Sequence, residues 1–128
     1  MINFVSFGQG KPLILIHGFC ESKEMWITFS RELAKTHIVY CIDLPGFGES
    51  PLEQDSITLE EVAVMLHDWM EEEGIQNPAV IGHSLGGYVA LAMAELMEND
   101  LAAIGLFHST AFPDDEEKKK TRNKTITF

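Results

Sequence analysis

Short apolar runs bounded by glycine or proline alternate along this chain with longer stretches whose apolar positions recur at helical spacing. Ile2 to Phe7 alternates loosely and stops at Gly8-Gln9-Gly10, the pattern of a strand and a turn. Leu13 to Ile16 is apolar at every position, as a strand covered on both faces of a parallel sheet should be. Ile38 to Ile42, Ala79 to Ile81 and Ile104 to Phe107 repeat that pattern. Between these runs, Trp26, Phe29 and Leu33 make one helical stripe, and Leu59, Val62, Ala63, Leu66, Trp69 and Met70 a longer one. Thr58 with Glu61 fits a capping box in front of the longer helix, and Gly74 fits the position just past its end. Leu85, Val89, Ala92, Met93 and Leu96 form a third stripe. Aromatic and methionine residues at this spacing are expected in a core rather than against a ligand. The alternation predicts an α/β fold: a mainly parallel sheet of about five strands, right-handed crossovers and helices on both faces.

After Phe107 the pattern changes. His108 to Pro113 leads into an acidic and then a basic block, and Asp114 to Lys124 fits an amphipathic or solvated helix with no strand after it. No internal repeat is visible.

Composition narrows the partners. The chain has 128 residues, 45% hydrophobic and 23% charged, which suits one globular domain. Twenty acidic against nine basic residues give a formal net charge of -11, which repels nucleic-acid phosphates and anionic lipid surfaces. No nucleic-acid or membrane partner is expected. Cys20 and Cys41 show neither C-x-x-C nor zinc spacing, so no metal and no cofactor is expected. Cys41, inside an apolar run, reads as a small buried hydrophobe, and Cys20, after a Gly-Phe turn, as partly exposed. The first residues lack a basic region followed by a long apolar stretch, and no run approaches the roughly 20 residues that span a bilayer. The expectation is a reduced, cytoplasmic protein.

Gly82-His83-Ser84-Leu85-Gly86-Gly87 is a G-x-S-x-G directly after a short strand and directly before a helical stripe. A serine lifted clear of a sheet on a strained strand-to-helix turn needs very small neighbours two residues to either side, and Gly82 and Gly86 provide them. The helix start behind it favours developing negative charge. The competing reading, a glycine-rich phosphate-binding connection, lacks the P-loop lysine and the G-x-G-x-x-G spacing. His17-Gly18-Phe19 closes the Leu13 to Ile16 run. With Ser84 as nucleophile, the backbone N–H groups of Leu85 and Phe19 are the oxyanion-hole candidates. His17 reads as a brace for its loop in preference to a catalytic base. Asp43, opening Asp43-Leu44-Pro45-Gly46-Phe47-Gly48-Glu49-Ser50, reads as a holder of its own loop's amides in preference to a catalytic acid.

Together the HGF, DLPGFGES and GHSLGG motifs, in this order and at these intervals, resemble the α/β-hydrolase family across essentially the whole chain. The resemblance implies that the strands are the second to sixth of eight, side by side as 2-4-3-5-6. It divides the chain into the N-terminal part of the core, 1–110, and the incomplete start of a cap segment, 111–128. It also implies a serine hydrolase acting on carboxylic esters or related small acyl substrates through an acyl-serine. Serine at position 84 argues against the aspartate-dependent dehalogenase and epoxide hydrolase branches.

The family's triad acid and histidine follow the serine, on loops after the seventh and eighth strands. This chain holds neither. His108 is the only histidine after Ser84. Glu95, Glu98 and Asp100 lie along the helix that starts at Ser84, and at about 1.5 Å per residue even Glu95 is roughly 15 Å away. His17, His83 and His108 are candidate pocket residues, while His37 and His67 read as surface or ordinary packing. The sequence therefore reads as truncated and nearly inactive, with an unprotected Ile104 to Phe107 edge that invites self-association or a partner chain supplying the missing strands. The alternative is a non-catalytic binding module, or an engineered fragment, that keeps the fold.

Overall fold

The apolar runs become a five-stranded sheet in the computed structural model, which describes residues 1–126. The strands are β1 (Phe4–Phe7), β2 (Lys11–Ile16), β3 (His37–Ile42), β4 (Ala79–His83) and β5 (Ala103–Phe107), in the order β1-β3-β2-β4-β5. β1 runs antiparallel to β3, and the other neighbouring pairs are parallel. With β1 counted as the family's second strand, this is the expected 2-4-3-5-6 order. The helices are α1 (Glu24–Leu33), α2 (Leu59–Glu73), α3 (Leu85–Met97) and α4 (Glu116–Ile126).

Side chains alternate across a strand, so a run apolar at every position needs cover on both faces. Leu13, Leu15, Val39 and Cys41 pack with Trp26 of α1 on one side. Ile14, Ile16, Ile42 and Val80 pack under α2 and α3 on the other. The α2 cap is built as read: Thr58 Oγ1 accepts the Glu61 N–H, Glu61 accepts the Thr58 N–H, and Gly74 closes the helix at φ 66°. Such a cap stabilises a helix by about 1 kcal/mol.

Two stripe residues expected in the core are on the surface instead. Phe29 is 53% exposed and Leu96 48% exposed. Helical spacing identifies the apolar side of a helix but not how much of that side a neighbour covers. α1 packs mainly on β3, which buries Trp26, while Phe29 stacks tilted against Trp26 with ring centroids 5.8 Å apart and keeps its outer side exposed. On α3 the sheet takes Val89 and Met93, and Leu96 falls on the flank.

β5 is the outer strand of the described sheet, with Ile104, Leu106 and Phe107 each between 38% and 49% exposed. Beyond it, Tyr88 Oη donates to the Phe112 carbonyl at 3.0 Å, and the polar α4 lies exposed. Positions 127 and 128 of the 111–128 segment lie outside the described residues. Cys20 is exposed, Cys41 is buried, and both are free thiols. Among the described residues no helix is long and apolar enough to cross a membrane.

Candidate active site

Parallel pairing brings the carboxyl ends of β2, β3, β4 and β5 to one edge, where open α/β sheets bind ligands. His17, Asp43, Ser84 and His108 are each the first residue beyond one of these strands.

Ser84 joins β4 to α3 with φ 53° and ψ -114°, a backbone state that costs a non-glycine residue about 1–3 kcal/mol. Surrounding bonds hold it there. Its N–H donates to the Phe107 carbonyl at 3.0 Å, and its own carbonyl accepts from the Gly87 N–H at 3.0 Å and the Ser109 hydroxyl at 2.8 Å. The turn closes because Gly82 and Gly86 have no side chains. A Cβ on Gly82 would stand 2.0 Å from the Gly86 carbonyl oxygen, and one on Gly86 would stand 2.5 Å from that of Ile16. Among the described residues, every hydrogen bond recorded for Ser84 uses its backbone and none uses its hydroxyl. Ser84 lines a cleft of about 330 Å³ with Tyr88, His108 and Ser109.

The loop after β2 forms the facing wall. His17 is fully buried: Nδ1–H donates to the Gly18 carbonyl at 2.7 Å, and Nε2 accepts the Leu44 N–H at 3.0 Å. Both ring nitrogens are spent inside the protein, so His17 braces two loops and does not line an open pocket. Burial pulls its pKa below the ordinary value, against the opposing pull of the Gly18 carbonyl, Asp43 and Glu21. Gly18 is spent too, its N–H donating to Glu21 Oε2 at 2.7 Å. Among the described residues, no recorded hydrogen bond uses the N–H of Phe19 or of Leu85.

Asp43 is fully buried and holds more than its own loop. It accepts the Glu49 N–H at 2.9 Å, the Lys23 N–H at 2.7 Å at the start of α1, and the Lys23 ammonium at 2.7 Å. Burial alone would raise its pKa, but the Glu49 amide and the Lys23 ammonium and amide hold it below the ordinary carboxylate value. Burial likewise works to lower the Lys23 pKa, and the bonds to Asp43 and Glu49 prevail and raise it.

His83 and His108 stand beside the serine turn, their ring centroids 5.9 Å apart. His83 Nδ1 donates to Glu21 Oε2 at 3.0 Å. His108, at φ 47°, stacks edge-on against Phe107, and no hydrogen bond from it to a carboxylate is recorded among the described residues. Asp114 shares the cleft, but its carboxylate pairs with the Arg122 guanidinium, which holds its pKa below the ordinary range. Asp115 accepts the Lys118 N–H. Among the described residues no group of three or more His, Cys, Asp or Glu could hold a metal ion.

Three residues of this site went unread in the sequence. Glu21 had a signal: a carboxylate three residues after a loop glycine can reach back to that glycine's amide, as in a capping box. Lys23 and Ser109 had none, because their partners are 20 and 25 residues away.

Comparisons with known proteins identify the family of this fold. The family model described as alpha/beta hydrolase fold matches residues 11–118. A thermophilic esterase from Thermogutta terrifontis superposes with a TM-score of 0.89 at 34% identity, covering 98% of this chain and 47% of the esterase. A pimeloyl-[acyl-carrier protein] methyl ester esterase from Vibrio cholerae is 39% identical over 87 residues, 68% of this chain and 32% of the relative. The dihydrolipoyllysine-residue acetyltransferase component of an acetoin cleaving system from Cupriavidus necator is 32% identical over 107 residues, 84% of this chain and 29% of the relative. The chain thus spans about a third of the length of these curated relatives.

Proposed function

The chain belongs to the α/β-hydrolase fold family, with esterases and lipases among its relatives, and on that premise we propose that Ser84 is the nucleophile of a serine hydrolase. The observation that carries this reading is the strained Ser84 backbone between β4 and α3, beside two uncommitted amides at Phe19 and Leu85. The hydroxyl attacks the carbonyl carbon of a small ester-like substrate, its proton passes to the departing alkoxide, which leaves as the alcohol, and water then hydrolyses the acyl-serine to a carboxylic acid and the free Ser84 hydroxyl. The Phe19 and Leu85 N–H groups take the negative charge that builds on the carbonyl oxygen, and losing one such donor costs about 10²–10³ in rate.

Residues 1–110 form the core that carries this machinery, and 111–128 begin the cap over it. A serine hydroxyl needs a base, and losing the triad histidine costs on the order of 10⁶ in kcat. No described side chain takes that role, so on this reading the 128 residues alone are nearly inactive. The exposed β5 edge is where further strands, or a second copy, would pair. The two free thiols suit a reducing compartment such as the cytoplasm.

A fluorophosphonate tests the reading, with the adduct mapped by peptide mass spectrometry. Slow modification at Ser84, abolished in Ser84→Ala, is expected. Modification elsewhere with Ser84 untouched removes the nucleophile assignment, and rapid stoichiometric reaction at Ser84 removes the claim that the base is absent.

A further inference from the structure

We infer that Glu21 is a positioning residue that sets the Phe19 N–H beside Ser84, an inference that rests on the serine-hydrolase reading above. One carboxylate oxygen, Glu21 Oε2, lies 2.7 Å from the Gly18 nitrogen and 3.0 Å from His83 Nδ1. Gly18 precedes Phe19 and His83 precedes Ser84, so this oxygen ties the loop bearing one oxyanion donor to the strand end bearing the nucleophile. The loop also lies directly against the serine: a Cβ built on Gly18 would meet Glu21 Oε2 at 2.8 Å and Ser84 Cβ at 3.1 Å.

The bond has a second consequence. By accepting the Gly18 N–H, Glu21 withdraws that amide from competition for the substrate oxygen and leaves the Phe19 N–H as the donor. Apart from this contact the Gly18–Glu21 turn is closed by a single long bond, Glu21 N–H to Gly18 carbonyl at 3.3 Å. Its third residue, Cys20, stands at φ 59°, a left-handed state that strains a non-glycine residue and that the closed turn must hold. A charge-assisted bond to a carboxylate is about twice as strong as a neutral one, so Glu21 is the stronger of the two closures.

The test is the rate at which a fluorophosphonate modifies Ser84, followed with thermal unfolding in the parent chain and in Glu21→Ala, Glu21→Asp and Glu21→Gln. A misplaced donor costs part of what a deleted one costs, so Glu21→Ala is expected to slow the reaction about 10–100-fold. Glu21→Asp is too short to reach both N–H groups and should also be slow. Glu21→Gln, which keeps an oxygen at the same reach but loses the charge-assisted strength, should fall between Glu21→Ala and the parent. All three should unfold within a few degrees of the parent. Folded Glu21→Ala or Glu21→Asp reacting at the parent rate overturns the proposal, as does a Glu21→Gln as slow as Glu21→Ala. A parent in which the phosphonate modifies another residue and leaves Ser84 untouched removes the serine-hydrolase reading and this inference with it.

Discussion

Around His17 and Asp43 the sheet edge hides its polar groups and pairs them, whereas around Ser84 and His108 it leaves them facing a cleft. His17 and Asp43 are fully buried, and both ring nitrogens of one and both carboxylate oxygens of the other are spent on neighbours. On the β4 and β5 side, the serine hydroxyl and the Phe19 and Leu85 amides are uncommitted among the described residues, and the outer strand is exposed. The closed region acts as an anvil. It fixes two loops rigidly enough that the open region can keep strained backbone and unspent hydrogen-bonding groups.

The sharpest way to break this comparison is to open the closed side. Asp43→Ala strands a nearly buried Lys23 ammonium with only the exposed Glu49 for a partner, and should destabilise by about 3–5 kcal/mol in urea unfolding. A loss under about 1 kcal/mol, the scale of a surface pair, would mean that the network is not the anchor described.

Next comes the hinge between the regions. Gly82→Ala drives a methyl into the Gly86 backbone and should cost about 3 kcal/mol, or abolish folding outright. A variant of parental stability would contradict the tight approach of the two glycines.

A smaller effect follows from His17. Its folded pKa lies below the ordinary 6.5, so between the two values the unfolded chain carries the extra proton and stability falls as pH falls. Asp43, held below its ordinary 3.8, adds its own loss only at lower pH, because its contribution is present above that value. Denaturant titrations from pH 7 to pH 5 should therefore show a decline that is shallower in His17→Gln; equal slopes would mean that His17 is not held neutral.

The smallest change belongs to the open edge. Leu106→Lys, at a position 38% exposed, should shift stability by no more than about 0.5 kcal/mol. Gel filtration of the same variant sharpens the point, since a charge on an edge strand opposes pairing with a second copy. A large loss of stability would show that β5 is covered in solution.

These contrasts also mark what could be read from residues alone. Thr58, Glu61 and Gly74 were legible because capping is decided within a few residues. The strands were legible because short apolar runs alternated with stretches of helical period, and their order followed from the resemblance of three motifs. The Asp43 role was half legible: its grip on the Glu49 amide is local, but Lys23 sits in a stretch that looks like any solvated helix start. Phe29 and Leu96 were misplaced because periodicity describes one helix, while burial depends on what packs against it. Phe19 and Leu85 were nameable only through the motif, since an amide without a partner leaves no mark in a sequence.

The most direct test of the account is a crystal structure of the chain after phosphonylation at Ser84. The account predicts a phosphonyl oxygen about 2.7–3.1 Å from the N–H groups of both Phe19 and Leu85, with residue 84 still left-handed between β4 and α3. An oxygen turned to solvent or to other donors, or a serine relaxed into an ordinary loop, would contradict it.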